Sequence, residues 1–552
     1  MAAEREWGAA SLLGLIVAGV LIEVAWLAFW PIGLAFTRTP DVSRMALSSP
    51  LVGSFTSALQ GALAPLLPGI SLTQPSPPLL AALGLTFAIA GAAYLAGVTL
   101  LARTAGAWRW ALPFVVAVTV ASQVTLLFAP AVLTTDVFSY LLYGRAVAVY
   151  GVDPYLAPPA QFLGDPFLPW IHPLWYGATT VYGPLWTRLS AFFAGLSAPL
   201  APFQQWLLLR ALVNVSYGVL LWLAWWILGP DQAGGERGRA SRVASFALLA
   251  WNPLLQFEVG AGAHNDILMA LLLLASLAPI AAWRRGVAAD RSWLASFLLL
   301  TASGLVKYAT AIAAPFLVVV WVRTTRGRWR AGRLLVAAAL GGGLALAAGA
   351  PWLPGALLPR SAGTLYTNAP WYVVWYWVAQ GPGVLVDGVS NLGPDPTDGG
   401  RSLVRLALAL LFAVYLAWET WRVWRAPGPP VLAIARATTR AFLVLILGVL
   451  NGVQAWYWMW ALVPAALLGW RDPLARLVVA YSVAAAMTFN VHDYWYVVFS
   501  REMPGWLTLA YAVLPPLATA LTLIRRAPVG QPPGQVAAAR RGAGQSLQAT
   551  PP

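Results

Sequence analysis

Asp136 stands where a long apolar run gives way to polar sequence, in the stretch "LTTDVFSYLLYGRAVAVYGVDPY" from Leu133 to Tyr155. A carboxylate held at a boundary between lipid and water can act as a general base toward a hydroxyl arriving from the water side. The competing reading is a helix N-terminal charge, favoured by the dipole, with Thr134 or Thr135 as the cap. At about 3.6 residues per turn, Asp136, Tyr140, Tyr143 and Val147 share one helix face and Arg145 lies on the other. Such a helix is expected to lie along the membrane surface until Gly151 and Asp153-Pro154 turn it. Two further stretches carry ionisable groups beside apolar ones. "WNPLLQFEVGAGAHNDILMA" from Trp251 to Ala270 holds His264, Asn265 and Asp266, and "SGLVKYAT" from Ser303 to Thr310 holds Lys307, the only lysine in the chain.

These residues need a membrane frame. Of the 552 residues 60% are hydrophobic and 10% charged, too apolar for a soluble protein of this size. The expected class is an all-α integral membrane protein, a polytopic bundle of about 13–14 transmembrane helices with surface helices on its outer face. The spans fall near 10–36, 79–102, 109–133, 204–229, 243–258, 266–283, 293–322, 334–351, 402–421, 438–453, 456–470, 474–490 and 505–524. The run 293–322 reads as two short helices meeting at Lys307. The first apolar run lacks a cleavage site and reads as a span. Residues 1–526 form one polytopic domain with outer loops 134–203 and 352–401, and 527–552 a disordered cytoplasmic tail. The outer stretch from Arg38 to Pro78 is expected to carry a surface helix.

The +15 net charge would suggest nucleic acid in a soluble protein, but here it is read by side and no nucleic-acid partner is expected. Arginines gather in loops on one side of the predicted spans, among them Arg237 to Arg242, Arg323 to Arg333 and Arg422 to Arg440. The positive-inside rule makes that side the cytoplasm, with both termini there. All three histidines, His172, His264 and His492, fall on the other side, with Lys307 and most acidic residues. That pattern argues for chemistry at the outer face of the cell membrane. A transporter or flippase of lipid-linked sugars is the alternative, but its ionisable groups should lie near the bilayer midplane. Cysteine is absent, which excludes disulfides and thiolate metal sites. No cofactor is expected outright. The outer histidines with Asp136 or Asp266 are the place for a divalent metal, although their spacing matches no ligand motif. Glu23, within the first span, reads as a hydrogen-bonded structural residue.

The opening stretch, "WYGATTVYGPLW" at Trp175 to Trp186, the two stretches around His264 and Lys307, and "VQAWYWMWALVPAALLGW" at Val453 to Trp470 follow in order along the chain. Together they resemble the polyprenyl-phosphate-sugar-dependent glycosyltransferases of the GT-C superfamily, in particular bacterial α-mannosyltransferases and the GPI-anchor mannosyltransferase. Asp153 stands where many such relatives carry Asn. The resemblance implies a GT-C-like fold and transfer of a hexose, with mannose expected. The donor is a polyprenyl-phosphate sugar, the acceptor an extracytoplasmic glycan or lipid, and the anomeric centre inverts.

Asp136 matches the catalytic carboxylate of the superfamily's first outer loop. The donor phosphate would be met by Lys307, Arg210, Arg145 and His264, with Arg360 and Arg501 as further cations. Arg210, inside a span, is expected to face a cavity. Acceptor or sugar contacts fall to Tyr140, Tyr143, Asp153, Tyr155, Tyr182, Asn265, Asp266, Gln454, Trp456 and Tyr457. Most of the 30 tryptophans read as interfacial belt residues, a few as platforms for sugar faces.

Overall fold

Prolines mark where many of the helices begin. In the computed structural model, which describes residues 9–103, 108–229, 236–283, 289–324, 330–357, 369–381, 383 and 398–524, nine helices start on a proline. Proline suits that position because its missing N–H would have no partner in the first turn. The first half runs α1 (Ala9–Leu34), α2 (Pro40–Leu47), α3 (Pro50–Leu63), α4 (Pro77–Arg103), α5 (Trp108–Phe128), α6 (Asp136–Ala148), α7 (Pro184–Ser197), α8 (Pro202–Leu228), α9 (Glu236–Ala250) and α10 (Pro253–Gly260). The second runs α11 (Asp266–Trp283), α12 (Ala289–Val306), α13 (Ala314–Thr324), α14 (Arg330–Gly349), α15 (Pro370–Gln380), α16 (Asp398–Arg425), α17 (Pro430–Gly448), α18 (Trp458–Ala466), α19 (Pro473–Phe499) and α20 (Gly505–Ile524). Among the described residues no strand is present. The protein is an all-α polytopic membrane protein. Arg360, most of the loop 352–401 and the tail 527–552 lie outside the described residues.

Among the described residues nine helices are long and apolar enough to cross a membrane: α1, α4, α5, α8, α14, α16, α17, α19 and α20. Four shorter apolar helices accompany them. Several runs expected to span therefore do not cross as single helices. The run 243–258 breaks after Ala250, where Asn252 accepts from the N–H groups of Leu254 and Leu255 and starts α10. The run 456–470 yields only the nine-residue α18, buried on all sides. Such short and broken helices tolerate membrane depth because protein rather than lipid surrounds their free backbone groups.

The break expected at Lys307 is present: α12 ends at Val306, Lys307 is extended, and a 3-10 turn covers Tyr308–Ala313. The carbonyl of Val306, left open by the break, accepts from the N–H of Gly183 at 3.0 Å. A Cβ at Gly183 would come within 2.2 Å of the Leu305 carbonyl oxygen, so only glycine permits this contact.

The outer segment folds differently from the expectation of a helix lying on the surface. Helix α6 is present as predicted from sequence, but it is buried along almost its whole length. Helix α7 covers it, and the two cross where Gly144 meets the Ser190 backbone; a Cβ there would lie 2.3 Å from the Ser190 oxygen. The expected surface helix between Arg38 and Pro78 is two helices, α2 and α3. Glu23 accepts from the hydroxyls of Ser122 at 2.9 Å and Thr125, the structural role read for it.

Candidate active site

The chain from Pro130 to Thr135 has no regular secondary structure and is pinned from three directions. Arg38 N–H donates to Val132 O at 2.8 Å, the Tyr494 hydroxyl to Leu133 O at 2.9 Å, and His172 N–H to Thr135 Oγ1 at 3.2 Å. These contacts fix Asp136 as the first residue of α6. Thr135 is the N-cap residue, yet its side chain makes no cap bond. The Asp136 side chain is 12% exposed. Burial pushes its carboxyl above the usual carboxylate range, and the charges of His264, Lys307 and Arg38 hold it back only in part.

His264 comes from the tight connection between α10 and α11. Ala263 holds a φ of 54°, a left-handed conformation rare for a residue with a side chain, and this turns the next residue inward. The His264 ring is fully buried, with Nδ1 3.7 Å from Asp136 Oδ2 and Nε2 3.2 Å from Glu258 Oε2. It stacks on Trp456 at 3.8 Å between centroids. The imidazole therefore lies between two buried carboxylates, and neither of its ring nitrogens makes a hydrogen bond among the described residues. Two residues along, Asp266 opens α11. Its Oδ1 accepts from Lys307 Nζ at 2.8 Å and from Trp460 Nε1 at 2.6 Å. Among the described residues Asp266 Oδ2, also buried, has no hydrogen-bond partner.

Lys307 lies over the rings of Tyr457 and Trp460 at 4.9 and 5.2 Å and lines a groove of about 750 Å³. Arg405 of α16 lines the same groove with Tyr308, while Leu406, Ala409, Leu445 and Val449 make an apolar wall between α16 and α17. Asp136 does not line it. The carboxylate cluster and the groove meet at the pair of Asp266 and Lys307.

Around this cluster the structure gathers Tyr140, whose hydroxyl is 3.5 Å from Asn265 Oδ1 and whose ring packs edge-on against Tyr182 and Trp186. Gln454 is buried just ahead of Trp456 and Tyr457. Other predicted residues are spent elsewhere. Arg145 gives its Nε to Asp165 at 2.7 Å, on the far side of α6. Arg210 is fully buried and donates to backbone carbonyls of Leu126, Ala129 and Gly260. It faces helix ends rather than a cavity.

Tyr143 donates to Ala178 O, and Tyr155 packs on Trp352 in a separate small cluster. The Asp153 carboxylate accepts from Tyr155 N–H in a local turn. Arg501 is exposed. Sequence reading missed Glu258, Trp460 and Arg405 as parts of the site. Trp460 sits in the quoted "AWYWMW" run, but Trp458 and Trp460 are core residues rather than interfacial belt residues. Among the described residues no group of three His, Asp or Glu side chains is arranged to hold a metal ion.

A buried carboxylate thus lies beside a cation-bearing, apolar groove on a polytopic helical membrane scaffold. A family profile described as alpha-(1->6)-mannopyranosyltransferase, N-terminal domain, matches residues 44–323. The chain belongs to that family and is a multi-pass membrane mannosyltransferase, acting on a sugar donor and a glycan acceptor. It is 26% identical to a probable alpha-(1->6)-mannopyranosyltransferase of Mycolicibacterium smegmatis, over 73% of this chain and 71% of that one. It is 28% identical to an alpha-(1->6)-mannopyranosyltransferase of Mycobacterium tuberculosis, over 62% and 63% of the two chains. Alpha-(1->6)-mannopyranosyltransferase A of the same organism is 27% identical over 71% of both chains. No solved structure matches.

Proposed function

We propose that this chain transfers mannose from a polyprenyl-phosphate donor to a 6-hydroxyl of an extracytoplasmic mannose-bearing glycan or lipid, with inversion. The observation that carries the reading is the groove, whose lining combines two cations, Lys307 and Arg405, with an apolar wall between α16 and α17. That combination suits a phosphate attached to a long isoprenoid and would suit a water-soluble nucleotide sugar poorly. The printed names of the relatives supply the alpha-(1->6) linkage.

In this mechanism Asp136 accepts the proton of the acceptor hydroxyl as its oxygen bonds to the anomeric carbon. The bond from that carbon to the phosphate oxygen breaks, and its electron pair leaves with the phosphate. Lys307 and Arg405 stabilise the charge that develops there. Its raised pKa makes Asp136 a stronger base than an exposed carboxylate. His264, lodged between Asp136 and Glu258, positions the base.

The carboxylate end faces the outside and the arginine-rich loops the cytoplasm, with both chain ends on that inner side. The direct experiment supplies the purified protein in nanodiscs with polyprenyl-phosphate mannose and an alpha-(1->6)-linked mannose oligosaccharide. Lengthening of the acceptor by one mannose is expected. Transfer from GDP-mannose but not from the lipid donor would overturn the proposal.

A further inference from the structure

The end of α16 and α17 away from the groove holds a second polar centre. A cavity of about 270 Å³ is lined there by Arg422, Arg436 and Arg440, with Glu419 at its base. Glu419 is 1% exposed and accepts from Arg440 Nη1 at 2.8 Å and Arg422 Nη1 at 3.1 Å. Arg436 donates to Asp472 at 2.5 Å. Beside them Arg323 caps the C-terminus of α16, donating to the carbonyls of Val423, Trp424 and Ala426.

Three arginines thus pair with two carboxylates, and a fourth, Arg323, with helix-end carbonyls. A guanidinium carries five N–H donors, and the ion pairs to Glu419 and Asp472 take one from each cavity arginine. The buried carboxylate fixes the guanidiniums in place, while their side chains stay 27–40% exposed toward the cavity.

Position says what kind of anion fits. Arg405 in the groove and Arg422 in this cavity lie on one continuous helix, separated by about 25 Å of axial rise at 1.5 Å per residue. That distance is close to the ~30 Å hydrocarbon thickness of a bilayer. Trp418, Trp421 and Trp424 of α16 are about half exposed at the same level, as interfacial indoles are. Arg422 and Arg425 lie over two of these rings. The cavity lining also includes the apolar side chains of Val423 and Leu432.

We infer that this cavity binds the phosphate of an anionic phospholipid in the leaflet opposite the transfer site, with Arg422, Arg436 and Arg440 as its ligands. The general chemistry is that of basic pockets between transmembrane helices that hold lipid headgroups. Bound lipid would brace α13, α16 and α17 at that end. The inference does not depend on the donor proposed above.

The test is native mass spectrometry and thermal unfolding of the purified full chain. It is returned to phosphatidylcholine alone, to phosphatidylcholine with phosphatidylglycerol, or to phosphatidylcholine with inorganic phosphate. Phosphatidylglycerol should be retained and raise Tm, and inorganic phosphate should do neither. Arg422→Gln combined with Arg436→Gln should lose the retained lipid about tenfold or more, since two charge-assisted contacts to the phosphate are removed. Ala433→Phe, which fills the cavity while leaving every ion pair in place, should lose both the lipid and the Tm gain, with Tm in phosphatidylcholine unchanged. Equal retention by wild type and both variants, or equal stabilisation by inorganic phosphate, would overturn the lipid site.

Discussion

Lys307 and Arg210 are both cations sunk among apolar helices, and both fit the sequence description of a phosphate ligand. Their surroundings separate them. Arg210 sits where α5 and α10 end; its Nη atoms donate to helix carbonyls and its guanidinium lies over the Trp206 ring. Lys307 sits where a helix breaks, shares one carboxylate oxygen with Trp460, and reaches an open groove. A buried charge that meets only backbone holds the fold together. One that meets a counter-charge beside a cavity is available to a ligand. The same division separates Arg145, paired on the far side of α6, from His264, pressed against Asp136.

Asp136 gives the largest effect and tests the ligand-facing side of this contrast. Asp136→Asn should lower turnover by about 10²-fold or more, the range for a lost general base. Its Tm should stay level or rise, because Thr135 makes no side-chain cap and the ionised carboxylate is held in a buried place. The pH dependence has a definite sign. A folded-state pKa raised above the ordinary value means protonation favours the folded form. That contribution is fully present below the ordinary carboxylate pKa and is lost as pH rises through the raised one. Wild-type activity should run the other way, falling as pH drops through the raised value, and Asp136→Asn should lack the stability term. Turnover and melting measured across pH decide between a base and a helix-end charge. Near-normal turnover in the variant would remove Asp136 from the chemistry.

Lys307→Met should raise KM for the lipid donor about ten- to a hundredfold, with a smaller change in kcat. Because Asp266 would lose its counter-charge, the single variant should also melt earlier. Lys307→Met with Asp266→Asn should recover Tm but not donor KM. Recovery of both would make the pair structural and collapse the contrast with Arg210.

Arg210→Met is expected to show the opposite signature. Unsatisfied carbonyls at the ends of α5 and α10 should cost roughly 2–4 kcal/mol of stability, while kcat and donor KM of the folded enzyme stay within about twofold. Arg210→Lys should recover only part of the loss, since an ammonium cannot span the same carbonyls. A raised donor KM in either variant would put Arg210 back among the phosphate ligands. Asp153→Asn should have the smallest effect, less than about threefold in turnover. An amide oxygen can still accept from Tyr155 N–H in the local turn.

Much of this was legible in the sequence, and the reasons differ from residue to residue. The membrane class, the long helices and the break at Lys307 follow from apolar run lengths and from one charged residue placed mid-run. The proximity of His264 to Asp136 does not, because 128 residues separate them and only the turn at Ala263 brings the ring inward. The role of Trp460 does not follow either, because composition cannot tell an indole facing lipid from one donating to a buried carboxylate. The fate of Arg210 was equally hidden. Its partners are backbone carbonyls, which leave no mark in sequence.

The contact between Gly183 and the end of α12 bears on how such a chain can diverge. Gly164 and Gly177 face open space, so a side chain is accommodated at those two positions. At Gly183 any side chain would strike the backbone of Leu305. The outer segment thus tolerates change at exposed glycines and is stitched to the membrane helices at its end. Substitutions at Gly164 or Gly177 leave Lys307 where it is, while a single methyl group at Gly183 shifts the two apart.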